Sequence, residues 1–294
     1  MLPLRAPQKP AQPPLPQAGS AAVRARWACA PALAWLALAA AVAGATGGCS
    51  SAEVELQKLT EKADFHYRLA NGYFHSGSVD LAIRELIAAL EVQPMHADSR
   101  YLYGFILFGR KRYEEASEHF RKALQAKPDF YAARNILGAT YIEMERYFDA
   151  IAVLEVLTRE PRYTTPYHAY NNLGLAYLRQ GDLKQAEKNF RMAVFVNPKF
   201  CQGYRNLGTV SMAQRDYAGA VEHMTEAVSR CPRYAELHLQ FGEALEADRR
   251  FDDADKAFQR CAELAGESPI GRRCKARLRN AAGGSGWNHA AVDP

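Results

Sequence analysis

No aspartate or glutamate occurs before Cys49, although the 294-residue chain carries 32 of them. The basic residues in that stretch are Arg5, Lys9, Arg24 and Arg26, and they supply most of the formal net charge of +5. Without those four, 33 basic residues face 32 acidic ones, a balance of +1 that leaves no basic surplus to suit a nucleic-acid partner. An apolar run of about 20 residues, long enough to cross a bilayer, is missing too. The run WACAPALAWLALAAAVA, Trp27 to Ala43, is shorter and rich in alanine. No CxxC pair and no Cys/His cluster occurs, so no metal site is expected. No nucleophile paired with a base marks a catalytic centre, and neither a cofactor nor a small-molecule substrate is expected.

What is present begins with Arg24 and Arg26, the apolar run, and the small residues Gly44 to Gly48, which end at Cys49. Charged, then apolar, then small is the order of an export signal. The stretch GATGGCSS resembles a bacterial lipoprotein signal, in which a peptidase cuts before a cysteine that has been lipid-modified. Thr46 departs from the aliphatic residue usual in that signal. The resemblance implies lipidation at Cys49 and removal of residues 1–48, leaving 49–62 as a lipidated N-terminus and linker. Ser50, in place of an aspartate, implies sorting to the outer membrane, with the protein facing the periplasm. One acyl chain holds a protein to a bilayer marginally, and two or more hold it stably. The proline-rich residues 1–22 suit neither a signal nor a folded domain; they are either a long leading segment of the signal or lie upstream of a start at Val23.

From Ala63 the chain repeats itself about every 34 residues, with units opening at Ala63, Ala97, Tyr131, Tyr167, Cys201 and Ala235. The eighth residue of each is small: Ala70, Gly104, Gly138, Gly174, Gly208 and Gly242. The twentieth is always alanine: Ala82, Ala116, Ala150, Ala186, Ala220 and Ala254. Two antiparallel helices approach closely only where no large side chain separates them. Large residues recur at position seven, from Leu69 to Phe241, and at position twenty-four, from Leu86 to Phe258. Pro94, Pro128, Pro198 and Pro232 end one helix and set up the next. This pattern resembles the tetratricopeptide repeat, which implies an all-α superhelix of six helix-turn-helix units over 63–266 (63–96, 97–130, 131–166, 167–200, 201–234 and 235–266). Basic residues after Gly266 predict a capping helix over 267–282, and GGSGWNHAAVDP reads as a flexible tail over 283–294.

If Cys29 leaves with the signal and Cys49 carries lipid, then Cys201, Cys231, Cys261 and Cys274 remain, in an oxidising compartment. Cys201 opens the first helix of unit five and Cys231 follows its second, two points that an antiparallel hairpin brings together. A Cys261–Cys274 bond would fasten the cap. His66 and His238 stand at the fourth helical position, which is normally part of the packing.

Repeats of this kind bind, because stacking curls their first helices into a concave face. Positions five, nine and twelve project into it. The lining expected there comprises Tyr67, Tyr101, Phe105 and Leu175, with Phe74, Phe108, Ile142 and Leu178 at position twelve. Asn71, Asn135 and Asn171 are candidate amides for a partner's backbone. Such an apolar and aromatic groove suits an amphipathic helix or extended segment.

The third unit is 36 residues long, two more than the period, and its junction with the fourth reads EPRYTTPYHAYNNLG. Together with the lipid signal, the six repeats and the cysteine pair of NPKFCQGYRNLG and SRCP, it is similar to the type IV pilus biogenesis and stability lipoproteins, the pilotins of the PilF/PilW/Tgl type. That resemblance covers 49 to about 266. It implies a non-catalytic outer-membrane lipoprotein whose partner is the pilus secretin, promoting its insertion and multimer assembly and so pilus-dependent motility. A generic periplasmic scaffold for envelope enzymes or polysaccharide export would share the lipid and the repeats.

Overall fold

The computed structural model describes residues 35–278, with side chains described from Glu53 onward. Residues 1–34 and the tail from 279, with the expectations made for them, lie outside the described residues, as does the Cys49 side chain. The described residues form thirteen helices: α1 (Trp35–His75), α2 (Val79–Val92), α3 (Ala97–Gly109), α4 (Tyr113–Ala126), α5 (Tyr131–Glu143), α6 (Tyr147–Thr158), α7 (Pro166–Gln180), α8 (Leu183–Val196), α9 (Cys201–Ala213), α10 (Tyr217–Arg230), α11 (Ala235–Ala247), α12 (Phe251–Ala265) and α13 (Pro269–Arg277). None of the described helices is long and apolar enough to cross a membrane. Residues 49–62, expected as a linker, are helical and continue into the first helix of unit one.

The sequence period shows its cause in the packing. Every alanine at position twenty is at most 1% exposed, and Phe120, Phe190 and Phe258 at position twenty-four are fully buried. Each large side chain lies against the small residue at position eight of the facing helix. A Cβ on Gly174 would stand 2.5 Å from the Phe190 ring, and one on Gly138 would stand 2.4 Å from Leu154. Leu69 departs from its series. Leu137, Leu173 and Leu207 are 2–3% exposed, whereas Leu69 is 37% exposed, because the first repeat has no preceding repeat to pack upon.

Each hairpin turns through one left-handed residue at position fifteen. Gly77 and Gly181 take that conformation freely, and Lys111, Glu145, Arg215 and Arg249 adopt it at φ of 58° to 62°. Asp182 and Asp216 then cap α8 and α10 by accepting from Gln185 N and Gly219 N, each at 3.0 Å.

Successive first helices touch each other, α3 with α5, α5 with α7, α7 with α9 and α9 with α11. Among the described residues no second helix of a unit brings its backbone within 8 Å, between Cα atoms, of the next second helix. The stack therefore curls with its first helices inward, lining the concave face of a superhelix, and its second helices splay outward. At the far end α13 packs on α11 and α12, placing Ile270, Cys274 and Leu278 against the last core cluster.

Candidate concave binding groove

The inner face holds a hollow of about 490 Å³ between α3, α5 and α7. Tyr101 and Phe105 of α3 form one wall, with the Phe130 ring tilted against Tyr101 at 4.8 Å between centroids. Asn135 and Ile136 of α5 contribute the floor. The opposite wall is the lengthened third junction: Arg162, Tyr163, Thr164 and Thr165, followed by His168 of α7. Tyr163 is only 8% exposed and lies 5.8 Å from the Tyr131 ring, so the added residues are pinned into the core and their neighbours are presented to the groove.

Charge sits at the rim. Lys127 stands over the Phe130 ring at 4.8 Å, and Arg162 over Tyr131 at 5.9 Å while paired with Glu160 at 3.0 Å. Burial pushes the phenols of Tyr101 and Tyr163 up and the imidazole of His168 down, so at neutral pH all three are neutral hydrogen-bonding groups. The surface can hold an apolar or aromatic side chain and satisfy the backbone that carries it.

The residues expected to line the groove divide in the structure. Tyr101, Phe105 and Asn135 meet in the hollow, and Phe105 is 37% exposed. Phe74 extends the aromatic surface, with its ring edge-on to Phe105 at 5.9 Å. Tyr67 and Phe74 are half-buried on the first core cluster, and Phe108 is half-buried on the next, facing Tyr113 at 5.5 Å. Leu175 and Leu178 pack partly into the core of the fourth and fifth units. Ile142 is not a groove residue: it is 8% exposed and belongs to the core cluster that also holds Leu154 and Leu157. Asn171 is 7% exposed and accepts from Asn206 Nδ2 at 2.7 Å, so its amide is used between repeats. Asn135 likewise accepts from Asn172 Nδ2 at 3.1 Å. These amides form a polar seam between successive first helices, meeting the requirement that buried polar groups be paired. Asn71 is half-buried in α1.

Sequence reasoning missed Phe130, Tyr131, Tyr163 and His168. Their signal was the unusual junction and the aromatic residue directly before a first helix. Of the histidines at position four, His66 meets Glu85 at 2.7 Å and His238 meets the Pro232 carbonyl at 2.9 Å, both local packing roles. Disulfides join Cys201 to Cys231, with Cα atoms 6.1 Å apart, and Cys261 to Cys274, 5.9 Å apart. No group of three metal-ligating side chains occurs among the described residues.

Family profiles described as tetratricopeptide repeat match residues 67–129 and 205–269, residues 107–169, and residues 167–200. The type IV pilus assembly protein PilF of Pseudomonas aeruginosa is 27% identical over 137 residues, which are 47% of this chain and 54% of that protein. The chain thus spans about half the length of that relative. The crystal structure of PilW, described as a widely conserved type IV pilus biogenesis factor, superposes with a TM-score of 0.66 at 22% identity, over 72% of this chain and 97% of PilW. The structure of Pseudomonas aeruginosa PilF gives a TM-score of 0.61 at 21% identity, over 74% of this chain and 99% of that one. At these identities the structural likeness speaks for the fold alone. With matched profiles running almost unbroken from Tyr67 to Pro269 over six stacked helical hairpins, the chain belongs to the tetratricopeptide repeat family.

Proposed function

We propose that the chain serves type IV pilus biogenesis as an outer-membrane lipoprotein, anchored through Cys49 and facing the periplasm. It binds the pilus secretin along the concave groove and promotes the secretin's insertion and multimer assembly, without catalysis. The observation that carries this reading is the aromatic hollow between α3, α5 and α7, walled by the long third junction. A preformed apolar cleft with neutral polar groups suits capture of a protein segment. The similarity to PilF supports the pilus role, and the order of residues from Arg24 to Cys49 supports the anchor.

Deletion of the gene tests it. Heat-resistant secretin multimers and surface pili should be lost and should return with the wild-type gene. Unchanged multimers in the deletion strain would remove the secretin from the account and favour a scaffold for other envelope proteins.

A further inference from the structure

Rings dominate the walls of the hollow between α3, α5 and α7. Tyr101 and Phe105 meet it from α3, Phe130 and Tyr131 from the start of α5, and Tyr163 from the third junction. Internal contacts use only part of this aromatic surface. Phe105 is 37% exposed, touched edge-on by Phe74 at 5.9 Å and at a tilt by Tyr101 at 6.3 Å, so much of its ring stays open to a ligand. A volume of about 490 Å³ admits one large side chain and the backbone that carries it. An aromatic side chain entering there meets other rings edge-on or offset, and such pairs favour it over an aliphatic side chain of similar size.

The charges of this lining are unevenly matched. Arg162 is paired with Glu160 at 3.0 Å, and that contact, with smaller contributions from Tyr131 and Asp129, raises its guanidinium. Asp129, the carboxylate of the lining, therefore belongs to the Arg162 side of the hollow. Lys127, at the end of α4, has no carboxylate partner among the described residues; its ammonium stands over the Phe130 ring at 4.8 Å. A cation–π contact at an exposed site is weak, so Lys127 remains available to an anion. Asn135 adds a donor. Its Oδ1 accepts from Asn172 Nδ2 at 3.1 Å, which leaves its own Nδ2 hydrogens for a ligand in the hollow.

Given the concave groove as the partner's site, which is the premise of the proposed function, we infer that the hollow reads an extended segment in which an aromatic residue stands beside a carboxylate. The ring enters among Tyr101, Phe105 and Phe130, the carboxylate meets Lys127, and the Asn135 amide donates to a backbone carbonyl. Phe130 sets the two requirements side by side, because its ring is both a wall against Tyr101 and the seat of the Lys127 ammonium. Either an aspartate or glutamate next to the aromatic residue, or the free carboxyl end of a chain that finishes on one, supplies that chemistry.

The test titrates the isotope-labelled full chain with peptides and follows its amide signals by NMR. The parent peptide is Gly-Ser-Gly-Phe-Asp-Gly-Ser with both ends blocked; in its variants Asn or Lys replaces Asp, or Leu replaces Phe. A second series, Gly-Ser-Gly-Ser-Phe with a free or an amidated end, separates a terminal carboxylate from a side-chain one. The better carboxylate peptide should bind saturably and shift the Asn135 side-chain amide. Phe should bind about two- to tenfold tighter than Leu. The carboxylate should bind about two- to fivefold tighter than its amide at about 50 mM salt, a preference that fades near about 0.5 M. Lys127→Glu, at an exposed position, should reverse the order of the Asp and Lys peptides, whereas Lys188→Glu, exposed on α8 outside the hollow, should not. No saturable binding at millimolar peptide, equal binding of carboxylate and amide forms in both series, equal binding of Phe and Leu, or an unchanged order in Lys127→Glu would overturn the inference. The groove as the secretin's site fails separately: secretin captured by Phe105→Ser/Ala132→Glu as by the wild type would remove it even where the peptides are discriminated.

Discussion

Substituting alanine for glycine at three helical positions separates packing from helix propensity. Alanine gains about 1 kcal/mol over glycine in a helix interior, all else equal. At Gly72 a Cβ would meet nothing within 4 Å, so Gly72→Ala should realise that gain. At Gly174 a Cβ would lie 2.5 Å from Phe190 Cε1, where carbon atoms normally stop at about 3.5–4.0 Å. The ring must retreat by about 1 Å, and Phe190 is fully buried among rigid neighbours. Overpacking of this size costs about 1–3 kcal/mol, so Gly174→Ala should lose about 1 kcal/mol net. Gly208 faces the same geometry with Met224 Cε at 2.8 Å, but a thioether chain can swing aside, so Gly208→Ala should fall between the two. Urea unfolding followed by far-ultraviolet circular dichroism measures the series. A spread of about 2 kcal/mol corresponds to roughly 4–8 °C in Tm for a domain of this size. If Gly174→Ala proves as stable as Gly72→Ala, the close approach at position eight does not explain the repeat.

Three further outcomes follow from the same structure and a fourth from the sequence around Cys49. Removing the Cys201–Cys231 bond, which closes a span of 30 residues, by Cys201→Ser/Cys231→Ser should cost roughly 3–4 kcal/mol in the chain-entropy account; an unchanged urea midpoint in that variant would contradict it. Glu145→Gly should stabilise by up to about 1 kcal/mol by relieving its φ of 58°, again read from the urea midpoint. Burial holds the His119 imidazole down at about 4, against about 6.5 unfolded, so its contribution is complete above about pH 6.5 and is lost as pH falls toward 4. Stability measured across that window should fall less steeply in His119→Gln than in the wild type. Cys49→Ala should leave the outer-membrane fraction, and a variant still found there at wild-type mass would end the lipoprotein proposal.

Much of the architecture could be read from residue size alone. Small side chains at positions eight and twenty, opposite large ones at twenty-four, specify two close antiparallel helices wherever they recur. The left-handed turn at position fifteen was hidden, because Lys111, Glu145, Arg215 and Arg249 pay its steric cost without any glycine to announce it. The groove was legible only in part. Position twelve, expected to face the hollow, does not line it: Phe74 and Phe108 are half-buried on core clusters and Ile142 lies within one, whereas positions five and nine supply Tyr101, Phe105 and Asn135. The pairing of Asn171 with Asn206 depends on the offset between successive first helices, which no single repeat encodes. The wall built by Arg162 to Thr165 was visible as an irregularity of the period, but its direction required the buried Tyr163.

The central claim is that the concave hollow takes the partner, and a variant that fills it with charge tests this most directly. Phe105 is 37% exposed and Ala132 is an exposed helical residue on the rim, so Phe105→Ser/Ala132→Glu removes an aromatic wall and adds a carboxylate while leaving the core intact. Burial of one such ring is worth about 1.5–3 kcal/mol, so binding of purified secretin by the full chain should weaken by roughly ten- to a hundredfold at unchanged helicity and Tm. Secretin bound by this folded variant with wild-type affinity would place the interface elsewhere and contradict the account.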